Sequence, residues 1–257
     1  MENMTKNIVM LGLASILLMP MKANAARSIS LECSISQPDY SGIGKANDEK
    51  NNQMSQYIPG WKNLPNPGQL AMAEITFRNP IPAEKIKYSY DIWLNALLGF
   101  YGGQSRADYD ENYNGDYKRV ESNETIDVNE IKLGIEAGKT RGNFSYSVCM
   151  GLLSDRVSYS KSRITTFSDS TSGKIETAAE GNGTGYFMEA SGKCRFYENF
   201  SVGLGIGLKR NNVNASGTER FTDYSDSGNN YENSKEIAVG LNRAEARLAV
   251  EYKFGEE

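Results

Sequence analysis

Residues 86–100, IKYSYDIWLNALLGF, place an apolar or aromatic side chain at every second position. Ile86, Tyr88, Tyr90, Ile92, Leu94, Ala96, Leu98 and Phe100 share one face. Lys87, Ser89, Asp91, Trp93, Asn95, Leu97, Gly99 and Tyr101 share the other. A period of two is the signature of a β-strand, because successive side chains point to opposite sides of the sheet. Strands in globular proteins usually stop after about five or six residues. A strand this long, apolar on one face and mixed on the other, suits the wall of a barrel in lipid.

The same alternation recurs along the chain. It predicts strands over residues 28–36, 69–78, 127–139, 144–159, 185–196, 200–209 and 236–254, which with 86–100 makes eight. The strand over 144–159 changes parity near Leu153, and the last changes near Asn242; a β-bulge is expected at each. Short links at Asn79-Pro80-Ile81-Pro82, Arg141-Gly142-Asn143 and Tyr197-Glu198-Asn199 alternate with long polar stretches over 37–68, 104–125, 161–183 and 211–235. Tight turns at one end and long loops at the other are the asymmetry of transmembrane barrels, with short periplasmic turns and long external loops. The expected fold is all-β: an eight-stranded antiparallel up-and-down transmembrane β-barrel.

A soluble lipocalin-like barrel also has eight strands, and the distribution of charge separates the two. One face carries Glu32, Glu74, Asp91, Glu130, Glu136, Glu189, Glu245 and Glu251 against Arg78, Lys87, Lys132, Lys139, Lys193, Arg195, Lys209, Arg247 and Lys253. The other face of the same strands is almost purely apolar. An eight-stranded barrel has an interior that side chains just fill, and near-balanced charges there can pair. Phe77, Phe144, Phe196, Phe200, Tyr252 and Phe254 lie on the apolar face beside the tight turns, as an aromatic girdle at a membrane interface would.

The first 25 residues read as an export signal: Lys6, an apolar run over 8–19, and the small-x-small site Ala23-Asn24-Ala25. The run is too short to span about 30 Å of hydrocarbon. Residues 1–25 are therefore expected to be removed, leaving one barrel domain over 26–257. Removal takes away Lys6, Lys22 and Glu2, so 26 cations face 31 anions. With no basic stripe, nucleic acid is not an expected partner. Cys33, Cys149 and Cys194 sit in strands, with Cys149 facing opposite to the other two, so they are expected to be free thiols rather than a disulfide framework.

The chain resembles the small outer-membrane barrels of Gram-negative bacteria, of the outer-membrane-protein-A transmembrane-domain and opacity-protein type. The sharpest local match is the last strand, which ends Val250-Glu251-Tyr252-Lys253-Phe254. The resemblance implies an outer-membrane location, outer-membrane lipid as surroundings, and a terminal strand read by the barrel-insertion machinery. Here Gly255-Glu256-Glu257 follow the phenylalanine, where the family usually ends on it.

No histidine occurs in the 257 residues. That excludes Ser-His-Asp chemistry and histidine-dependent zinc sites, and with them the histidine-bearing sites of the known barrel proteases, phospholipases and deacylases. No catalytic, cofactor-binding or metal-binding residue is assigned. One pattern competes: Asp110, Asn112, Asn114, Gly115 and Glu121 have the spacing of an EF-hand calcium loop. Strand flanks and the nearby Lys118 and Arg119 weigh against it. Tyr109, Tyr113 and Tyr117, with Phe221, Tyr224 and Tyr231, could form a contact surface for a protein or glycan. The expected role is a non-enzymatic, monomeric barrel acting through envelope structure or surface contact. The alternatives are a narrow pore or transporter, and a soluble periplasmic lipid-binding barrel.

Overall fold

The computed structural model describes residues 27–38, 70–81, 90–113, 116–167, 172–224 and 230–254. Nine strand segments follow in order: β1 (Arg27–Pro38), β2 (Leu70–Pro80), β3 (Asp91–Tyr113), β4 (Asp116–Arg141), β5 (Phe144–Phe167), β6 (Ser172–Tyr197), β7 (Phe200–Asp223), β8 (Tyr231–Gly240) and β9 (Arg243–Phe254). From β1 to β8 each pairs antiparallel with the next, and β9 pairs with β7 and with β1 to close the ring. Segments β8 and β9 lie end to end along β7, whose Asn212 pairs with Gly240 and whose Lys209 pairs with Arg243. The ring therefore has eight staves, as the alternation predicts. Export residues 1–25 lie outside the described residues, as do 82–89, which hold the start of the alternating stretch.

Lower wall positions alternate as expected. Leu133, Ile135, Val148, Met150, Leu152, Met188, Leu204, Ile206 and Leu208 are exposed on the outside. Glu74, Arg78, Glu130, Lys132, Glu136, Lys193, Lys209, Arg247 and Glu251 are buried inside. The eleven residues 131–141 of β4, tilted about 40°, cover roughly 25–30 Å along the membrane normal, the height of a lipid-facing band. At its lower edge Phe144, Phe196, Phe200, Tyr252 and Phe254 are exposed. Phe200 packs on Phe196 and Tyr252, with ring centroids 6.5 and 4.9 Å apart, so the aromatic girdle is present.

Strand length departs from expectation. Segments β3 to β7 are 23–26 residues long and continue far beyond the lipid-facing band. The stretches read as loops over 104–125, 161–183 and 211–235 are in large part strand. They are rich in Ser, Asn, Asp and Gly, and the Asn, Asp and Gly depress β-propensity and imitate loop composition. Tertiary pairing overrides that local preference.

Neither expected bulge exists. The β4–β5 ladder runs unbroken through Ile131↔Ser154, Lys132↔Leu153 and Leu133↔Leu152. Across the gap between β8 and β9 the register is also unchanged, and the Leu241 N–H still donates to the Asn211 carbonyl at 2.9 Å. The parity changes because the sides exchange character. Above the band, inward positions become mainly apolar, with Ser122, Glu124 and Thr177 among the buried polar exceptions, and outward ones polar. Leu70, Met72, Tyr101, Ile126, Val128, Val157, Tyr159, Ala179, Val213, Ala215, Val239 and Leu241 form one buried cluster. The barrel thus has two storeys on one continuous set of strands: inside-out below, and ordered like a water-soluble protein above.

Candidate functional site

Inside the lower storey the charges form two linked groups. Toward the tight turns, Arg78 forks between Glu136 and Glu251, 2.8 Å from the latter, and its guanidinium lies 4.6 Å from the centre of the Trp93 ring. Lys193 reaches Glu251 at 2.5 Å, and the Asn95 amide donates to Glu136 at 2.6 Å. Higher up, Lys209 touches Glu74, Glu130 and Glu245 at 2.9, 2.7 and 2.9 Å. Lys132 reaches Glu189 at 2.5 Å and Glu74 at 3.1 Å. Arg247 joins Glu32 at 2.8 Å and also contacts Glu74 and Glu189, while Arg243 joins Glu130 at 2.7 Å and Glu245 at 2.9 Å. Buried charges persist only when paired in this manner.

Tyr101 joins the two storeys. Its hydroxyl donates to Glu74 at 3.0 Å and meets Glu130 and Lys209, while Arg243 lies 4.4 Å from the centre of its ring. The ring itself belongs to the apolar cluster above. An interior cavity of about 50 Å³ is bounded by Arg78, Glu136, Lys193, Lys132, Glu189 and Arg247, among others. That is room for a water or two, not for a permeant solute.

Close approach of β4 and β5 in this storey requires glycine. Gly134 and Gly151 face each other across the ladder. A Cβ on Gly151 would fall 2.0 Å from the Leu133 carbonyl oxygen, and one on Gly134 would fall 2.7 Å from the Phe187 ring. The vacated space admits Phe187, which packs with Cys149 and Leu153 and lies 5.0 Å beneath the Lys132 ammonium.

Most of the charged face expected from sequence is in this network. Of the rest, Asp91 is exposed, Lys253 is half-buried, Lys139 lies over the Tyr90 ring at 5.8 Å, and Arg195 donates to the Gly142 carbonyl at 3.3 Å. Lys87 lies outside the described residues. Arg243 and Tyr101 belong to the network, and the sequence reading missed both roles. Arg243 was hidden by the parity change at Asn242, and Tyr101 is an aromatic among charges. Cys33, Cys149 and Cys194 are free, with Cys149 alone buried.

In the upper storey, the Tyr159 hydroxyl donates to Glu124, with Lys161 4.0 Å from the same carboxylate. Burial, and then the Glu124 charge, hold the Tyr159 phenol well above its ordinary value, so it remains a donor. At the far end, Phe221 and Tyr231 face each other across the β7–β8 ladder and stack, with centroids 5.3 Å apart and planes at 24°. Gly173 leaves room beside them, since a Cβ there would meet the Phe221 ring at 3.0 Å. Tyr224 and Tyr231 are exposed. Around them run Arg220–Glu232 at 2.7 Å, Lys174–Glu176 at 2.6 Å and Lys235–Glu219 at 3.4 Å. Arg220 and Lys174 donate to Glu232 and Glu176, and these hydrogen bonds hold the two cations above their ordinary values.

The calcium pattern is placed differently from a binding loop. Its residues lie on two paired strands, with Asp110 opposite Arg119 and Tyr113 opposite Asp116. An EF-hand loop must wrap one ion with ligands from positions one to twelve. An extended hairpin draws that backbone out along a ladder instead. Asn114 and Gly115 lie outside the described residues, as do the side chains of Tyr109, Tyr113 and Tyr117.

A closed, even-staved antiparallel wall, apolar outside and charged inside, is a membrane-spanning barrel of the outer-membrane kind. The sequence matches no known family profile and no curated protein. Several solved barrels are similar in shape. The outer membrane protein OprG from Pseudomonas aeruginosa aligns with a TM-score of 0.46 at 11% identity, over 91% of this chain and 98% of its own. The outer membrane protease OmpT from Escherichia coli gives 0.45 at 10%, over 92% and 99%. Ail, the attachment invasion locus protein of Yersinia pestis, solved with the heparin analogue sucrose octasulfate, gives 0.37 at 9%, over 91% and 100%.

Proposed function

We propose that this outer-membrane barrel acts by surface contact rather than catalysis, as a sealed lipid-embedded base that holds a stiff β platform clear of the membrane. The carrying observation is the upper storey with its own apolar core. The fourteen residues 116–129 of β4 rise roughly 35 Å above the band at the usual rise and tilt. Flexible loops would need no buried cluster; a platform that must hold a surface in place does. The distal aromatics Phe221, Tyr224 and Tyr231, among hydrogen-bonding ion pairs, form the surface we assign to contact. The partners we propose are outer-membrane lipid at the band, the insertion machinery through β9, and a protein or glycan at the distal end, bound by a monomer.

The test displays the full-length barrel on cells and measures attachment to host-cell surfaces and to a glycan array. A Phe221→Ser, Tyr231→Ser variant should lose attachment while keeping the heat-dependent gel shift of a folded barrel. Equal attachment by that folded variant would remove the proposal. A pore is the second reading, and the charge-filled lumen speaks against it.

A further inference from the structure

At the junction of the two storeys a buried carboxyl stands apart from the ionic network. On the outside, the ring of first polar positions above the lipid-facing band includes Asn129, Ser154, Arg210 and Asn242. Asp155 lies one residue beyond Ser154, above the band, and points inward, 1% exposed. Its Oδ2 accepts from the Asn211 amide nitrogen at 2.7 Å. Its Oδ1 has no hydrogen-bond partner, and neither has the Asn211 amide oxygen, although both residues are buried. The two side chains come from β5 and β7 and meet across β6, where Gly183 faces Asp155 in the ladder. A Cβ on Gly183 would fall 2.9 Å from the Asn211 oxygen. Glu130 faces Asp155 from β4, and it already takes Lys209 of β7 and Arg243 of β9 at 2.7 Å each. Tyr101 of β3 also turns its hydroxyl to Glu130. From β6, positions 181, 183 and 185 bring glycine alone. Among the described residues, no ion pair includes Asp155.

We infer that Asp155 binds a proton and forms with Asn211 a carboxylic acid–amide pair, a latch that fastens the upper storey to the lower in acid and slackens toward neutral pH. A proton on Oδ1 turns that atom from acceptor to donor, and the acceptor opposite it in such a pair is the Asn211 oxygen. One proton thus satisfies both partnerless oxygens, whereas an ionised Asp155 leaves two buried acceptors unmet. A carboxylate without a cation in a dry interior is also the form that burial disfavours. Burial, and then the Glu130 charge, push the Asp155 carboxyl up to about 7, against Arg243, the Asn211 hydrogen bond and Lys209. When the storeys part, Asp155 meets water and returns to the ordinary carboxyl value of about 4. Between those values the closed form keeps a proton that the open form has released. The opening constant therefore rises about ten-fold per pH unit and levels off above about 7.

The full-length barrel, folded in detergent, is titrated from about pH 5 to about pH 8 and followed by infrared spectroscopy. The carbonyl stretch of a protonated carboxyl should vanish with a midpoint of about 7. Asp155→Asn, which keeps an amide pair with Asn211, should lack that transition, and Asn211→Ser, which removes the amide, should displace it. Each variant is first checked for the heat-dependent gel shift. Hydrogen exchange then reads the slowest amides of the upper storey in the wild type and in Asp155→Asn at each pH, so that the ratio cancels the pH dependence of exchange itself. Wild-type protection relative to the variant should fall about ten-fold per pH unit up to about pH 7 and then hold. A transition confined to the ordinary carboxyl range, or one that survives in Asp155→Asn, would overturn the bound proton. A flat protection ratio would overturn the latch. Protection restored at the alkaline end by sodium or calcium chloride would put a metal cation between the two oxygens instead. Attachment is not measured, so each of these outcomes leaves the proposed distal contact surface untouched.

Discussion

Lys209 shows how much one side chain can bear in a filled lumen. It is fully buried and lies within 3 Å of three carboxylates, on Glu74, Glu130 and Glu245. Lys209→Met leaves those charges facing each other in a dry interior. The expected loss is about 3–5 kcal/mol, the usual effect of breaking a buried pair from one side. Urea unfolding in lipid vesicles reads it directly. Tyr101→Phe removes one hydroxyl from the same node and should cost less, about 1–3 kcal/mol, because the ring keeps its apolar packing. At this scale the sequence was informative wherever alternation held. The shared face of Glu74, Glu130, Lys132 and Lys209 follows from parity, and its inward placement from the charge that the face carries. Arg243 could not be found in that way, because the apolar residues beside it, Val239 and Leu241, share its parity.

At the scale of the element, each long strand is two strands in physical terms. On β4, the inward series Val120, Ile126, Val128 passes into Glu130, Lys132, Glu136 without a change of register. The outward series passes from Asp127 and Asn129 to Leu133 and Ile135 at the same level. Charge substitution on either side of that level should therefore have separable effects. Val128→Asp places a carboxylate in the upper core and should loosen the upper storey. Trypsin would then cut at Arg119 or Lys161 while the heat-dependent gel shift persists. Leu133→Arg instead puts a cation against acyl chains and should weaken insertion by about 2–4 kcal/mol, measured by folding into vesicles. Loss of both properties in both variants would show that the storeys do not fold separately. The sequence carried this exchange in plain view at Leu153 and Asn242. Parity read by hydrophobicity alone cannot distinguish a bulge from an exchange of surroundings; hydrogen-bond register can.

At the scale of the whole molecule, the described residues fill the lumen with side chains. Among the described residues, seven carboxylates and six cations are paired across the lower lumen, and the upper lumen holds the apolar cluster. An ion would meet a dry plug above and fixed charges below. Planar-bilayer recordings should show no discrete conductance steps, and clear single-channel openings would restore the pore reading. The stave number and the faces were readable from the amino-acid order, since pattern and turns act locally. The height of the platform was not, because long-range pairing built it from residues with little strand preference of their own. The exchange of faces also works as a waterline. In a thicker bilayer, sinking by one ring would submerge Arg210, Asn129 and Asn242; in a thinner one, rising would wet Leu152 and Leu208. Stability should thus peak near a hydrocarbon thickness of about 25 Å and fall on both sides. A barrel built this way gauges the depth of the membrane that holds it.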